Sequence, residues 1–253
     1  MKWNPDTYHK FQSQRFAPFE DLVKLIDVRE DLGVIDLGCG TGELTKKLFD
    51  YLPNPDILGI DKSPHMLERA KDLECPGLRF EENSIENISG KWDLIFSNAA
   101  LQWVEDHPGL IEKLFSLLSP GGQFVVQIPA NHNHPTQRLI VEVSGQEPFK
   151  SALGGWNREW WVLSIREYSE LIFQNGGQDI TVFEKVYPHV LGDVDAVADW
   201  LCGTALLPYF ERLPEDLHES FLAAYKEKLG KIYTETPVFY PFRRIFFSAK
   251  TAK

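Results

Sequence analysis

The chain has few cysteines, no long apolar run and no excess of basic residues, and each scarcity excludes a class of protein. Its three cysteines, Cys39, Cys75 and Cys202, are odd in number and lack the spacing of metal ligands. We therefore predict no disulfide framework and a reducing compartment. No stretch approaches the roughly 18 apolar residues that a membrane-spanning helix needs. The first residues, MKWNPDTYHKFQSQRF, contain no apolar segment typical of a signal peptide, so we expect a cytoplasmic protein with no membrane partner.

The charge balance is acidic. Lys and Arg number 26 against 37 Asp and Glu, which gives a formal net charge of −11. A broad nucleic-acid-binding face needs a basic surface, so we expect no nucleic-acid partner. The 253 residues, 43% of them hydrophobic, suffice for one packed domain with an elaboration.

Short apolar runs alternate with segments whose apolar residues recur at helical spacing. The runs that predict strands are Val34 to Leu37, Ile57 to Ile60, Leu78 to Glu81, Leu94 to Ser97, Gln123 to Ile128, Ile180 to Val186 and Arg243 to Ser248. Strands that alternate with helices imply right-handed crossovers. The pattern predicts an α/β fold with a doubly wound, mostly parallel, seven-stranded, Rossmann-like sheet.

Three segments are predicted along the chain. Residues 1–30 would form an N-terminal helical cap, with one helix from Asp6 to Ile26 or two short helices broken near Pro18. Residues 31–129 would form the α/β core that binds a nucleoside. Residues 130–253 would supply the remaining strands and helical insertions, and such insertions at the carboxyl edge of a sheet commonly form a lid over the site.

A glycine turn follows the first predicted strand in the stretch VIDLGCGTG. Its glycines do not form the GxGxxG fingerprint of dinucleotide sites, and Lys46 and Lys47 are wrongly placed for a phosphate-binding Walker loop. The carboxylates of Asp36 and Glu43 would repel a pyrophosphate at this helix start. Asp61 ends the next strand, where it could accept from two ribose hydroxyls. A nucleoside with a cationic tail and no phosphate is S-adenosylmethionine; ordinary turn glycines with a solvated Asp are the alternative.

The chain resembles the class I S-adenosylmethionine-dependent methyltransferases. VIDLGCGTG, GIDKSPHML and LLSPGGQFVV look like three of their motifs. Within that class, WNPDTYHKFQSQR, SNAALQWVEDH, HVLGDVDAVADWLCGTALLP and PFRRIFF are similar to segments of the trans-aconitate 2-methyltransferases. The similarity covers nearly the whole chain and is weakest at about 130–178.

The resemblance implies a set of cofactor-binding residues. The turn would bring its backbone close to the methionine moiety, Asp61 would accept from the ribose, and Asp36 would orient the loop or reach the amino group through water. In the resembled class an acidic side chain after the third strand accepts from the adenine amino group, and here Asn83 or Ser84 stands in its place. The implied residues are Arg15, Asp36, Gly38, Cys39, Gly40, Gly42, Asp61, Lys62, Met66, Asn83, Ser84, Ile85, Ser97 and Asn98.

Catalytic and substrate roles are also implied. Gln102, Trp103 and His107 would lie at the mouth of the site as catalytic residues, although Trp103 could equally be a core aromatic residue. Trp3, Tyr8, Trp103, His189 and Arg244 would contact the substrate. No metal site is expected, because His132 and His134 lack a third ligand at a suitable spacing.

The expected reaction is methyl transfer to a carboxylate of a small organic acid. A carboxylate is ionised at pH 7 and needs no general base, whereas a hydroxyl acceptor would need one such as His107. Ala17, Cys202 and Leu207 stand where the resembled family carries cations, so we expect an acid less anionic than trans-aconitate. A hydroxyl methyltransferase, a nicotinamide oxidoreductase and a non-catalytic binding protein remain alternatives, and the oligomeric state is undecided.

Overall fold

The structure is a computed structural model that describes residues 12–253, with side chains from Phe16 onward. Trp3 and Tyr8 lie outside the described residues. Arg15 lies within a described helix, but its side chain does not belong to the described part.

Seven strands form one sheet. Their bounds are β1 Gly33–Leu37, β2 Asp56–Asp61, β3 Leu78–Glu82, β4 Trp92–Asn98, β5 Leu118–Pro129, β6 Gln178–Leu191 and β7 Val238–Lys250. The order across the sheet is β3-β2-β1-β4-β5-β7-β6. The first five strands pair in parallel and β7 runs antiparallel to β5. The predicted mostly parallel, Rossmann-like sheet is confirmed.

Helices connect these strands. The described α-helices are α1 Gln12–Val23, α2 Glu43–Tyr51, α3 Pro64–Ala70, α4 His107–Ser116, α5 Pro135–Ser144, α6 Phe149–Ala152, α7 Ile165–Gln174, α8 Val194–Cys202, α9 Leu207–Phe210 and α10 His218–Ile232. Short 3-10 turns include Ile85–Asn87 after β3 and Leu101–Trp103 after β4. None of these helices combines the length and the hydropathy that crossing a bilayer would require.

The chain groups into two compact units, which differ in extent from the three predicted segments. The sheet unit contains residues 16–129, 161–185 and 244–253, so residues 16–30 belong with the sheet. The helical unit contains residues 130–160 and 186–243, together with the described residues 12–15. β6 and β7 each continue from one unit into the other along the chain. A lid role for the inserted helices stays a prediction.

Local sequence signals explain several of these elements. Ser63 begins α3 as predicted, because its hydroxyl accepts from the backbone N–H of Met66 at 3.4 Å and Pro64 follows at the first helical position. α1 continues through Pro18 rather than breaking there. Burial of Phe19 and Leu22 on one face of α1 stabilises the helix despite the missing backbone donor.

The segment 130–178 holds three helices that periodicity did not define. α7 was nevertheless readable from its capping box, because Ser164 is followed three residues later by Glu167. The Ser164 hydroxyl accepts from the backbone N–H of Glu167 at 3.2 Å, and the Glu167 carboxylate accepts from the Ser164 backbone N–H at 2.8 Å. Tyr168 and Ile172 form the buried face of this helix.

Aromatic residues fill the core of the helical unit. Its fully or nearly buried members include Trp200, Tyr209, Phe221, Tyr225 and Tyr240. Buried tyrosines need partners for their hydroxyls, and Tyr225 donates to the carbonyl of Thr136 at 3.2 Å.

Ser164→Ala tests the capping box of α7. Loss of the hydroxyl should lower the free energy of unfolding by about 0.5–2 kcal/mol, because the backbone N–H of Glu167 loses its acceptor and the Glu167 carboxylate loses the bond from the hydroxyl. Ser169→Ala is the matched control on the same helix, where an exposed hydroxyl bonds only the carbonyl of Arg166. Urea denaturation measures both variants, and equal effects would contradict the cap.

Candidate functional site

The glycine turn is fixed to the end of β2 by its backbone. The N–H groups of Gly38 and Cys39 both donate to the carbonyl of Ile60, at 2.8 and 2.9 Å. Gly42 donates to the carbonyl of Cys39 at 3.0 Å, and α2 begins immediately afterwards. The turn therefore lies at the carboxyl ends of two adjacent parallel strands, where open α/β sheets bind ligands.

The three glycines of the turn have different surroundings. A Cβ atom on Gly38 would lie 2.3 Å from the Cβ of Ala100, and one on Gly42 would lie 2.8 Å from the ring of Phe80. A Cβ on Gly40 would meet no atom within 4 Å. Gly38 and Gly42 therefore permit close packing of protein on protein, whereas Gly40 leaves open space against which a ligand can lie on bare backbone.

The carboxylate of Asp61 holds the backbone of the glycine turn and of the residues that lead into α3. One carboxylate oxygen accepts from the backbone N–H of Gly40 at 3.0 Å, and the other from that of Ser63 at 2.9 Å. Each carboxylate oxygen has a second acceptor site. Asp61 can hold the turn and still accept from a diol.

Asp36 lies beneath the turn and is only 3% exposed. Its carboxylate accepts from the hydroxyl of Thr45 on α2 at 2.6 Å. Burial, reinforced by the charge of Asp61, raises the pKa of Asp36 to about 7. The expectation that the Asp36 carboxylate faces the ligand is therefore wrong, because this side chain is buried. Its bond to Thr45 joins β1 to α2, which agrees with the predicted loop-orienting role. Burial also raises the pKa of the Cys39 thiol, which stays protonated.

The residues after β3 lie beside the turn. Ile85 approaches the Cβ position of Gly38 to 4.0 Å, so its side chain is placed where it could pack on a ligand. The side-chain oxygen of Asn83 accepts from the backbone N–H of Ser84 at 2.9 Å. The backbone N–H of Asn83 donates to the backbone carbonyl of Asp61 at 3.1 Å. Both polar side chains are half-buried, and the Asn83 oxygen is partly used by its own turn.

A cleft of about 530 Å³ brings together two further predicted residues, Lys62 and Trp103. Lys62 is exposed after β2, and Met66 is half-buried in the first turn of α3. Trp103 is 49% exposed, which excludes the core-aromatic alternative for this side chain. A half-exposed tryptophan on the wall of a cleft remains available to a ligand.

The two residues that end β4, Ser97 and Asn98, differ in whether their side-chain oxygens have partners. Ser97 is fully buried, and its hydroxyl donates to the carbonyl of Leu37 at 3.0 Å. This bond joins β4 to β1, so the Ser97 side chain has a structural role. The backbone contact to the cofactor that the resemblance implies for this segment stays a prediction. The side-chain oxygen of Asn98 is buried and has no hydrogen-bond partner within residues 16–253.

Gln102 presents a second oxygen of the same kind. Its amide nitrogen donates to the carbonyl of Ala99 at 2.6 Å, while its amide oxygen is buried and unpaired in the described part of the chain. Ala99 has a φ of +58°, which is rare for a residue with a side chain. An unsatisfied buried acceptor costs about 1–3 kcal/mol, so two such oxygens at and just after the end of β4 indicate a missing donor.

His107 is not a catalytic base, which corrects the predicted role. It is 1% exposed at the start of α4. One ring nitrogen bonds the carbonyl of Leu101 at 3.0 Å, and the other bonds the hydroxyl of Tyr168 at 2.7 Å. Burial lowers the pKa of His107, so the ring is neutral at pH 7. Its two bonds join the segment after β4 to α7.

The predicted substrate residues fall in both units. Arg244 of the sheet unit is buried and donates to the side-chain oxygen of Gln127 at 2.8 Å, whereas Arg243 is exposed, as strand alternation predicts. His189 of the helical unit is buried between Trp200 and Phe242, with ring centroids 4.8 and 5.6 Å away. The two side chains share only their burial.

Sequence reasoning missed Arg158, in the stretch WNREWW. Its guanidinium carbon lies 3.9 Å from the ring centroid of Trp160, and burial lowers its pKa to about 10. The neighbouring Asn157 side chain bonds Ser144 and Tyr209, which fixes the backbone at this point. An arginine among three tryptophans was a readable signal for an ordered cation.

No cluster of three or more potential metal ligands occurs where the structure describes side chains. His134 instead begins α5 by accepting from the backbone N–H of Thr136 at 3.3 Å. His132 packs against Trp160 with ring centroids 6.4 Å apart.

Comparisons with known proteins identify the family. A family model described as a methyltransferase domain matches residues 29–162. A trans-aconitate 2-methyltransferase of Deinococcus radiodurans is 43% identical over 98% of this chain and 98% of its own. Its namesake from Variovorax paradoxus is 34% identical over 99% and 98%. The chain belongs to the S-adenosylmethionine-dependent methyltransferases.

Solved structures share the fold of this methyltransferase at low sequence identity. Phosphoethanolamine N-methyltransferase 2 of Haemonchus contortus, in complex with S-adenosyl-L-methionine, gives a TM-score of 0.57 at 16% identity, covering 94% of this chain and 53% of that chain. The cyclopropane synthase MmaA2 of Mycobacterium tuberculosis gives 0.59 at 16%, covering 93% and 84%. These likenesses concern the fold alone.

The protein is therefore an enzyme that uses S-adenosylmethionine, as predicted, and the nicotinamide oxidoreductase and non-catalytic alternatives are set aside. The residues present fit this cofactor. Gly40 offers bare backbone, and the Asp61 carboxylate has acceptor capacity for the two hydroxyls of a ribose. The amide oxygens of Asn98 and Gln102, which have no partner in the described residues, can accept from a donor or face a positive charge.

Asp36→Asn tests the buried acid. Because the pKa of Asp36 is higher in the folded chain than its ordinary value of 3.8, the folded state binds the proton more tightly, and stability is lost as pH rises from about 4 to about 7. The variant cannot ionise and keeps an oxygen for Thr45. Its free energy of unfolding relative to the wild type should rise by roughly 4 kcal/mol between pH 4 and pH 8. A pH-independent difference, measured by denaturant titration, would contradict this.

Proposed function

We propose that this methyltransferase transfers the methyl group to a carboxylate oxygen of a small organic acid. The observation that carries the proposal is the similarity over 98% of both chains to a relative named trans-aconitate 2-methyltransferase. Similarity of that extent includes both compact units, not only the cofactor-binding sheet.

The surroundings of His107 support a carboxylate over a hydroxyl. A hydroxyl acceptor needs a general base within hydrogen-bond reach, and His107 was the candidate that the sequence offered. Both of its ring nitrogens are occupied and its pKa is lowered. A carboxylate is already ionised at pH 7, so the reaction proceeds without any proton transfer.

The chain contributes mainly binding and orientation. S-adenosylmethionine supplies, when bound, a methyl group activated on a sulfonium. The glycine turn and Asp61 hold the nucleoside end, and the half-exposed Trp103 offers an apolar surface at the adjoining cleft. Proper alignment of two reactants alone contributes about 7–11 kcal/mol to lowering a barrier.

Cations for the acceptor are few, which favours an acid with one or two carboxylates. Position 17 is an alanine, and Leu207 begins α9. Cys202 ends α8 as a neutral thiol, because burial raises its pKa to about 11. Arg158, half-buried and stacked on Trp160, is the ordered cation that we assign to a substrate carboxylate. A substrate contact by Arg244 stays a prediction.

An acid panel tests the substrate class. With labelled S-adenosylmethionine, saturated dicarboxylates should be esterified with a higher kcat/KM than trans-aconitate, because a trianion lacks sufficient counter-charges here. Product mass and lability to mild alkali identify the ester. A clear preference for trans-aconitate would overturn the charge argument, and transfer only to alcohols would overturn the function.

Arg158→Gln tests the assigned cation. We expect the KM for a dicarboxylate to rise at least about tenfold with kcat and the Kd for S-adenosylhomocysteine unchanged, because one charge-assisted contact to substrate is lost. Arg212→Gln is the matched control: Arg212 also stacks on a tryptophan, Trp156, at 4.0 Å, but it is exposed. Equal kinetics for the two variants would remove Arg158 from substrate binding.

A further inference from the structure

Two carboxamide oxygens at the end of β4 have no partner in the described residues. They are Oδ1 of Asn98 and Oε1 of Gln102, and both atoms are buried. The orientation of Gln102 is fixed, because its Nε2 must donate to the carbonyl of Ala99 at 2.6 Å. The oxygen of Gln102 therefore cannot be exchanged with its nitrogen to relieve the missing bond.

The position of these oxygens relative to the glycine turn is defined by packing. Ala100 lies between them in the chain and contacts Gly38 so closely that a Cβ there would lie 2.3 Å from its own. In the sheet, β4 and β2 flank β1 on opposite sides. Asp61, which ends β2, clamps Gly40 from the other side. The segment that carries the two oxygens thus meets the turn at Gly38, whereas the ribose acceptor Asp61 meets it at Gly40.

Amide oxygens attract cations and donors and repel carboxylates. The glycine turn separates Asp61 from the segment after β4, so a nucleoside that binds Asp61 by its ribose and spans the turn brings its amino-acid end to that segment. That end of S-adenosylmethionine carries a positive sulfonium, and the product of methyl transfer, S-adenosylhomocysteine, carries a neutral thioether in its place. The difference between the two compounds is therefore one positive charge.

We propose that Asn98 and Gln102 select the charged methyl donor over its neutral product by presenting two carboxamide oxygens to the sulfonium. This inference rests on the cofactor and not on which acid accepts the methyl group. Because transfer of the methyl group removes the positive charge of the cofactor, S-adenosylhomocysteine binds more weakly to the two oxygens and is released more readily. Such oxygens, desolvated before the ligand arrives, act without reorganisation.

Binding measurements with three ligands test the proposal. Calorimetry gives the Kd of S-adenosylmethionine, of S-adenosylhomocysteine and of sinefungin, an analogue with an ammonium group at the position of the sulfonium. Asn98→Leu and Gln102→Met each replace an amide by an apolar group of similar shape. We expect each variant to weaken the two charged ligands about tenfold and S-adenosylhomocysteine less than twofold.

Gln123→Met is the control for a buried glutamine lost from the sheet. The Gln123 amide is fully paired with the backbone of Asp27, with two bonds of 2.7 Å, so its loss should lower stability and leave the ratios of Kd unchanged. Equal weakening of all three ligands by Asn98→Leu and Gln102→Met would overturn the proposal, because the oxygens would then bind the shared amino group. Unchanged affinities would also overturn it. Failure of the carboxylate proposal would show in the acid panel and leave these ratios intact.

Discussion

The junction between the glycine turn and the end of β2 is the constraint on which the site depends. The carbonyl of Ile60 accepts from two successive turn N–H groups, and the carboxylate of Asp61 accepts from a third at Gly40. Hydrogen bonds to a charged acceptor contribute about 1.5–3 kcal/mol each, so this backbone is held in one conformation before any ligand binds. The Asp61 carboxylate also retains acceptor sites for the two hydroxyls of a ribose. One side chain therefore both fixes the shape of the turn and can bind the nucleoside.

Charge is distributed unevenly around this junction. Asp36, which looked in the sequence like part of a negative surface, is desolvated and bonded to Thr45, and its pKa of about 7 leaves it largely protonated below neutrality. On the β4 side the acceptors are uncharged amide oxygens. The carboxylates of Asp61 and of the exposed Glu43 also lie beside the turn.

The misjudged role of His107 has a physical reason. Histidine is chemically suited to a site, but this side chain is buried, and its two ring nitrogens are occupied by Leu101 and Tyr168. A sequence shows which groups a side chain carries and not which partners occupy them. Arg158 was missed for the converse reason, since its fixed position comes from stacking on Trp160 and from burial, which the sequence does not show.

The sequence by itself determined the strands, the glycine turn, the acidic end of β2 and the cofactor, because these depend on short-range periodicity and on residues within one βα unit. The order of the strands, the antiparallel last strand and the helices of residues 130–178 were decided by long-range packing, which leaves a weak local signal. Only the tertiary structure decided which polar atoms stayed unpaired. Desolvation and hydrogen-bond partners are set by residues distant in the chain. They occupy both ring nitrogens of His107 and leave the amide oxygens of Asn98 and Gln102 without partners in the described residues.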